Sequence, residues 1–205
     1  MKEILYDWGG VNVWLFHLIN DLRGSALDSL MLLGTRVGDH SNYPVYFALA
    51  AFIGLTAFTC RPKSRHPELQ AQATGWLMAL AVLSIAYLAD GALIGWLKPL
   101  LDFPRPPLAL PAGTVHVVGA LELHHSLPSG HSAFAMLIAA SLWPVLNRNW
   151  RVVVAAFVLW VGISRISLGA HFPADVMAGF LLSLIVVILV RGIIAFLLRI
   201  AARIS

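Results

Sequence analysis

Long apolar stretches alternate with short polar connections along most of this chain. The stretches cover residues 43–60, 69–97, 130–146, 152–169 and 173–198. A helix needs about 20 predominantly apolar residues to cross the hydrocarbon core of a bilayer. The pattern therefore predicts five membrane-spanning helices.

The N-terminal part of the chain has a different pattern. Apolar residues recur there at helical spacing, as at Val11, Leu15 and Leu18, but charged residues interrupt every long apolar run. A helix lying in the membrane interface, followed by a short helix, accounts for residues 8–37. A sixth, poorly hydrophobic span is the alternative. The predicted fold class is all-α, a polytopic membrane helix bundle with about five to six transmembrane helices, an N-terminal amphipathic segment over residues 1–40 and a single domain over residues 1–205.

Composition agrees with a membrane protein. The chain is 59% hydrophobic and 12% charged, with 205 residues and a mean hydropathy of +0.80, whereas soluble domains carry about 25% charged residues. The net charge of +4 comes from basic residues scattered between apolar runs, so no continuous stripe predicts a nucleic-acid partner. Cys60 is the only cysteine, so it cannot form an internal disulfide.

Basic residues concentrate in every second connection. Segments 61–65 and 147–151 carry several Arg or Lys residues, and the tail after residue 198 adds more. Because cytoplasmic loops hold the excess of Lys and Arg, these parts are predicted to lie in the cytoplasm. The connections 98–129 and 170–172 are then predicted to lie on the opposite side.

A set of polar residues shares that opposite side, close to the ends of the apolar stretches. Its members are Lys98, Arg105, Ser129, Gly130, His131, Arg165, His171 and Asp175. Charged groups at membrane depth are expensive and are usually functional. Their common position predicts an active site at one membrane face better than it predicts unrelated structural ion pairs.

The residue types in this set suit a phosphoryl group. A guanidinium matches phosphate oxygens two at a time, and Lys98 adds a compact charge. Ser129 and Gly130 lie at the predicted start of the third span, where backbone N–H groups and the helix dipole favour an anion. Three cations match the charge that spreads over phosphoryl oxygens during transfer. Lys98, Arg105, Ser129, Gly130 and Arg165 are therefore the predicted phosphate-binding residues.

The two histidines of the set suggest a division of labour. His171 lies four residues before Asp175, and a carboxylate that holds one imidazole nitrogen leaves the other free to attack. His131 lies on the opposite wall of the predicted site, where it would protonate the leaving oxygen. The product of the attack is a phosphohistidine, which water then hydrolyses. Since the cations stabilise the charge, this hypothesis requires no metal ion and no cofactor.

The spacing of these residues resembles a known family signature. Lys98-x6-Arg105-Pro106, Pro128-Ser129-Gly130-His131 and Ser164-Arg165-x5-His171-x3-Asp175 follow one another in this order. This arrangement resembles the three-part signature of the type 2 phosphatidic acid phosphatase (PAP2) superfamily over about residues 90–180. The resemblance implies that His171 is the nucleophile, that Asp175 orients it and that His131 is the acid. It also implies phosphate binding by the five residues named above.

The resemblance also implies a function. The short chain resembles the small bacterial integral-membrane members, which are metal-independent phosphatases of lipids such as undecaprenyl diphosphate, phosphatidylglycerophosphate, phosphatidic acid and lipid A. The expected location is the bacterial inner membrane, with the active site facing the periplasm. The partners expected for the chain are therefore a lipid phosphate substrate and the bilayer.

Two other functions fit the same residues. The phosphohistidine can pass its phosphoryl group to a second lipid, or the cationic cavity can belong to a carrier that only binds. A carrier is less favoured because the sequence has no repeated halves. Asp90 fits equally well as a cavity residue that steers Lys98 and as the partner of another helix. His116, His124 and His125 are expected to be exposed loop histidines, with a zinc site as the minor alternative.

Overall fold

The computed structural model describes residues 6–59 and 66–204, and the regular structure in them is helical. The helices are α1 (Val11–Asn20), α2 (Ser25–Val37), α3 (Tyr43–Thr59), α4 (His66–Leu101), α5 (Pro106–Ala109), α6 (Gly130–Leu142), α7 (Arg148–Ser167) and α8 (Pro173–Ile204). The all-α prediction is confirmed. The basic connection predicted at 61–65 lies outside the described residues.

The predicted membrane spans correspond to helices. Three described segments are long and apolar enough to cross a membrane, namely Ala71–Ala109, Arg148–Ser167 and Pro173–Arg203. Helix α3 and the apolar stretch Gly130–Val145 are shorter. The polytopic membrane bundle predicted from hydropathy is therefore confirmed, with α3 and α6 as its shorter apolar helices.

Helix α6 lies at the centre of the bundle and contacts α4, α7 and α8. Small side chains on its buried face, such as Ala133, Ala135 and Ala139, allow the neighbouring helices to approach closely. On α8, a Cβ added at Gly179 would lie only 2.5 Å from the Ser129 carbonyl oxygen. This close approach brings the start of α6 against the start of α8, where the motif residues of both helices lie.

The N-terminal helix α1 turns a partly polar face toward the protein. Asn12, Phe16 and Asn20 are fully buried, while Val11 and Leu18 are about half exposed. The Asn12 side chain accepts a hydrogen bond of 2.9 Å from the N–H of Ala174 at the start of α8. The predicted amphipathic helix is present, and its apolar stripe points outward, as expected for a helix that contacts lipid.

The long connection between α5 and α6 is tied to the helix ends around it. Asn20 donates to the His116 carbonyl at 2.8 Å, and the Arg105 N–H donates to the Leu123 carbonyl at 2.8 Å. Gly169 has a φ of +74°, and a side chain there would overlap the His116 carbonyl. Glycine is therefore required where the α7–α8 turn passes under this loop.

Candidate active site

The structure brings the predicted polar residues together at one end of the bundle. They surround a cavity of about 480 Å³ whose wall includes Lys98, Arg105, Gly130, His131, Arg165 and His171. The other two predicted residues, Ser129 and Asp175, are fully buried directly behind this wall. These residues are far apart in the sequence, and the ends of α4, α6, α7 and α8 bring them together.

The His171 side chain has the geometry expected of an oriented imidazole. Its Nδ1 lies 3.5 Å from Asp175 Oδ2, and its Nε2 lies 3.4 Å from Arg105 Nη1. Pro173 begins α8, so Asp175 lies in the first helical turn and faces back toward His171. The carboxylate thus holds one ring nitrogen while the other faces the cationic cavity.

Asp175 is itself held by three donors. Ser126 Oγ donates to Oδ2 at 2.6 Å, and the Phe172 N–H donates to the same oxygen at 2.8 Å. The hydroxyl of Tyr6 donates to Oδ1 at 2.7 Å. These three hydrogen bonds fix the orientation of the buried carboxylate.

The surroundings of His171 favour its neutral form. Burial lowers the pKa of His171 to about 4, against the opposing effect of the Asp175 carboxylate. Burial and the charge of Asp175 raise the pKa of Tyr6, so its phenol stays a hydrogen-bond donor. A neutral imidazole whose Nδ1–H faces a carboxylate carries its lone pair on Nε2. At neutral pH the His171 imidazole is therefore neutral, with a lone pair on Nε2.

Arg105 is clamped in place and already paired with an anion. Its Nε donates to the His124 carbonyl at 2.9 Å, and its Nη1 donates to the Ala170 carbonyl at 3.2 Å. Its Nη2 lies 2.5 Å from Glu122 Oε2, and Glu122 also lines the cavity. The carboxylate of Glu122 thus occupies a position where a phosphate oxygen would bind the guanidinium.

Arg165 has both a backbone and a side-chain role at the end of α7. Its carbonyl accepts hydrogen bonds from the N–H groups of Ala170 and His171 at 3.0 and 3.2 Å. Its Nη1 donates to Thr35 Oγ1 on α2. Its Nε is buried with no hydrogen-bond partner in the described part of the chain. The residue therefore fixes the turn that carries His171 and adds a second guanidinium to the cavity.

His131 lies in the first turn of α6, on the cavity wall. Its Nε2 is 3.5 Å from Asp39 Oδ2, and Asp39 also accepts a hydrogen bond of 2.8 Å from the Ser41 N–H. Burial raises the pKa of the Asp39 carboxyl, but hydrogen bonds from Ser41 and the charge of His131 bring it below its ordinary value. An ionised carboxylate beside an imidazole orients the ring and holds a ring N–H.

Ser129 and Gly130 have different roles at the start of α6. The Ser129 N–H donates to the Asp175 carbonyl at 3.0 Å, and its hydroxyl accepts from Ser132 at 3.0 Å. A Cβ added at Gly130 would meet no atom within 4 Å. Ser129 therefore ties α6 to α8, and Gly130 leaves the adjoining part of the cavity open.

The loop histidines do not share one environment. The side chains of His124 and His125 are 59% and 50% exposed, and both lie next to Asp102. His116 is partly buried, with Nε2 3.5 Å from Asp28 Oδ2, so the expectation of an exposed side chain is wrong for this residue. The described residues include no group of three or more His, Cys, Asp or Glu side chains placed to hold a metal ion.

Several contacts in the site involve residues that sequence reasoning did not select. They are Tyr6, Asp39, Glu122 and Ser126. Ser126 comes two positions before Pro128, so its proximity to a motif could have indicated a position near the site. Asp39 followed by Ser41 is a local capping pattern. Tyr6 lies 169 positions from Asp175 and has no local signal.

This arrangement can bind a tetrahedral anion and attack it. Lys98, Arg105 and Arg165 supply positive charge, and the neutral His171 lies at the same cavity. Fixed cations in a site shielded from water stabilise the charge that develops on phosphoryl oxygens. His131 lies on the wall of the same cavity.

Comparison with a protein-family model gives an independent result. The model described as the PAP2 superfamily matches residues 76–198 of this chain. That range contains all eight predicted site residues, the helices α5, α6 and α7, and most of α4 and α8.

Known proteins similar to this chain act on lipid phosphates. The lipid A 1-phosphatase of Rhizobium etli is 28% identical over 77% of this chain and 67% of its own length. The undecaprenyl-diphosphatase BcrC of Bacillus subtilis is 35% identical over 86% of this chain and 80% of its own length. The crystal structure of Aquifex aeolicus LpxE superposes with a TM-score of 0.68 at 26% identity, covering 88% of this chain and 94% of that one.

Proposed function

The chain belongs to the PAP2 superfamily and is a membrane lipid phosphatase, and from that premise we propose that it hydrolyses a lipid phosphate or diphosphate through a phosphohistidine on His171. One observation carries the proposal. The neutral, buried imidazole of His171 presents Nε2 to a cavity lined by Lys98, Arg105 and Arg165. No other arrangement of functional groups in the described residues combines a nucleophile with three cations.

In the first step the substrate phosphoryl group replaces the Glu122 carboxylate on Arg105. The lone pair of His171 Nε2 forms a bond to phosphorus while the bond from phosphorus to the leaving oxygen breaks. The leaving oxygen takes the electron pair and receives a proton from His131. Asp175 accepts a hydrogen bond from His171 Nδ1–H and stabilises the positive charge that develops on the ring.

In the second step the phosphohistidine is hydrolysed. His131, now neutral, accepts a proton from water as the water oxygen bonds to phosphorus, and the bond to His171 Nε2 breaks. Inorganic phosphate leaves, and the proton on His131 restores the starting state. The two guanidinium groups and Lys98 hold the same three oxygens in both steps, so the charge they neutralise stays in place.

The cavity also supports a lipid as the substrate. Away from the cations its wall is mostly apolar and includes Leu88, Ile94, Phe134 and Leu137. The cavity is bordered by α4 and α6, two helices of the membrane bundle. A substrate with a phosphate at one end and hydrocarbon next to it matches this division. Lipid A, undecaprenyl diphosphate, phosphatidylglycerophosphate and phosphatidic acid all have this form.

We also propose that the whole chain forms one domain. Tyr6 donates a hydrogen bond to Asp175, and Asn12 accepts one from the N–H of Ala174. The N-terminal segment therefore contributes to the same site as the motif residues. Removal of this segment would leave Asp175 with one hydrogen bond fewer and a buried face of α8 exposed.

Phosphate release by the detergent-solubilised protein tests the proposed activity. The substrates are a phospholipid phosphate, a polyprenyl diphosphate and a glycolipid phosphate, each supplied without an acceptor lipid. We expect free phosphate from at least one of them, unchanged turnover in excess EDTA, and inhibition by vanadate, which mimics the phosphoryl centre in transfer. These results follow from a site whose charge stabilisation comes from Lys98, Arg105 and Arg165.

Two outcomes would contradict this account. Loss of turnover in EDTA that added metal reverses would refute the metal-free mechanism. Phosphate release only when a second lipid is present, with the phosphoryl group found on that lipid, would indicate a phosphotransferase. A His171→Ala variant provides the background rate for every substrate.

We further propose that the site faces the periplasm of a bacterial inner membrane. The start of α7 carries Arg148 and Arg151, and it lies at the opposite end of that helix from Arg165. The basic residues are then cytoplasmic and the cavity is on the outside.

Labelling of single cysteines in intact cells tests this orientation. In a Cys60→Ser background, we expect an impermeant maleimide to label Leu121→Cys, at a position that is 63% exposed in the outer loop. Asn149→Cys, at an exposed position in the first turn of α7, should be labelled only after the cells are lysed. The reverse pattern would place the active site in the cytoplasm.

A further inference from the structure

Asp90 is a buried acid in the middle of a membrane helix, and the proposed reaction does not use it. Its side chain is 3% exposed, and Oδ2 accepts a hydrogen bond of 2.9 Å from Ser183 Oγ on α8. Its Oδ1 has no hydrogen-bond partner among the described residues. Asp90 nevertheless lines the same cavity as the catalytic residues.

A carboxylate in this position has a high free-energy cost unless it has a partner. Acidic side chains within membrane spans are expensive, and they usually mark a functional site. A buried acceptor without a hydrogen bond adds a further penalty. The bond from Ser183 satisfies only one of the two oxygens, and the other is buried without a partner among the described residues.

The cavity leads from Asp90 to the phosphate site along one side of α4. Asp90, Ile94 and Lys98 are spaced four residues apart, so they lie on one face of the helix, and all three line the cavity. The eight residues from Asp90 to Lys98 correspond to about 12 Å along the helix axis. Gly91 and Gly95 also line this path, and a Cβ on either would meet no atom within 4 Å.

We propose that Asp90 binds a hydrogen-bond donor of the lipid substrate, a hydroxyl or amide N–H in the part that joins the phosphate-bearing head to the hydrocarbon chains. The inference rests on the proposed function and adds the substrate class to it. The favoured substrates are acylated lipids with amide or hydroxyacyl linkages. A polyprenyl phosphate has only hydrocarbon at this depth and leaves Asp90 Oδ1 without a partner.

A purely structural role for Asp90 makes a different prediction. If the residue only joins α4 to α8 through Ser183, its replacement should lower turnover of every substrate by a similar factor. If it binds substrate, the loss should depend on whether the substrate carries the donor. The ratio of two rates therefore separates the two roles.

Three probes supply that ratio. The first is an N-(3-hydroxymyristoyl)glucosamine 1-phosphate, which carries both donors, and the second is farnesyl phosphate, which carries neither. The third, p-nitrophenyl phosphate, is too short to reach Asp90 from the cations. In Asp90→Leu we expect kcat/KM for the first probe to fall by about 10-fold to 100-fold, the range for a hydrogen bond to a charged group. The values for the other two probes should change by less than about threefold.

Two matched variants complete the experiment. Ser183→Ala removes the partner within the protein and leaves the acceptor, so it should keep the preference for the hydroxyacyl probe. Asp90→Asn keeps an acceptor oxygen in nearly the same shape, and it should lose only part of the preference. If Asp90→Leu fails to give folded protein, the preference of Asp90→Asn decides the question. An unchanged preference would then overturn the proposal.

The possible outcomes are distinct. Equal losses on all three probes, or no loss on the hydroxyacyl probe, would overturn the proposed role of Asp90. Absence of hydrolysis by the unmodified protein on every probe would instead refute the proposed phosphatase mechanism.

Discussion

A His171→Ala variant is expected to lose phosphatase activity down to the background rate, a loss of about 10⁵-fold or more by comparison with other nucleophile removals. The imidazole of His171 is the group that forms the bond to phosphorus, and no other neutral nucleophile in the described residues lies at that wall of the cavity. Hydrolysis of lipid and aryl phosphates should be lost equally, because both require the same attack.

The control for this variant must separate chemistry from folding. His171 is 1% exposed, so alanine leaves a small cavity beside Asp175. We therefore propose His171→Gln as the matched variant, because it retains volume and a polar group near Asp175. Both variants should bind vanadate less tightly yet unfold at temperatures near that of the unmodified protein. Residual turnover above about 1% in a folded variant would show that His171 is not the nucleophile.

His131→Ala is expected to lower turnover of a lipid phosphate by about 10²-fold to 10⁴-fold, the range for loss of a general acid. A lipid alkoxide is a poor leaving group and needs the proton. p-Nitrophenolate leaves readily without one, so formation of the phosphohistidine from p-nitrophenyl phosphate should be affected much less. Hydrolysis of the intermediate should still be slow, because His131 also activates the attacking water.

The measurement is the dependence of the first step on the leaving group. Rates of phenol release from a series of aryl phosphates should depend more steeply on the pKa of the phenol in His131→Ala than in the unmodified protein. His17→Ala serves as the matched control, since His17 pairs with Asp21 at the end of α1 and does not line the cavity. An equal dependence in all three proteins would exclude His131 as the proton donor.

The sequence was informative where a feature depends on local pattern. Apolar runs of sufficient length predicted α3, α4, α7 and α8 closely, because a membrane helix satisfies its own backbone and must be apolar on its outer surface. Proline and capping residues fixed helix ends, as Asn147 does where it accepts a hydrogen bond from the Trp150 N–H at the start of α7. The positions of the motif residues at helix ends followed from these boundaries.

The sequence was less informative where a contact joins distant parts of the chain. The bond from Tyr6 to Asp175 and the pairing of Asp39 with His131 depend on how α1, α2 and α6 pack. The Glu122 carboxylate on Arg105 depends on the path of a loop without periodic pattern. His116 was expected to be exposed for the same reason, since its contacts with Asn20 and Asp28 come from the N-terminal helices.

Asp90 illustrates a third case. The sequence allowed two roles for it, a cavity residue or a helix partner. In the structure its side chain lines the cavity and also accepts a hydrogen bond from Ser183 on α8. One oxygen bonds to Ser183 and the other is free of protein partners in the described residues. Periodicity places a residue on a helix face, but it does not say what the opposite helix supplies at that depth.

The most direct test of the account is a rapid-quench experiment with p-nitrophenyl phosphate and the His131→Ala variant. Formation of the phosphohistidine should be fast and its hydrolysis slow, so p-nitrophenol should appear in a burst of about one equivalent per protein. The quenched protein should carry an acid-labile, base-stable phosphate on the peptide that contains His171, and His131→Ala/His171→Ala should show neither burst nor label. A burst that leaves the label on another residue, or turnover without any labelled protein, would contradict a phosphohistidine at His171.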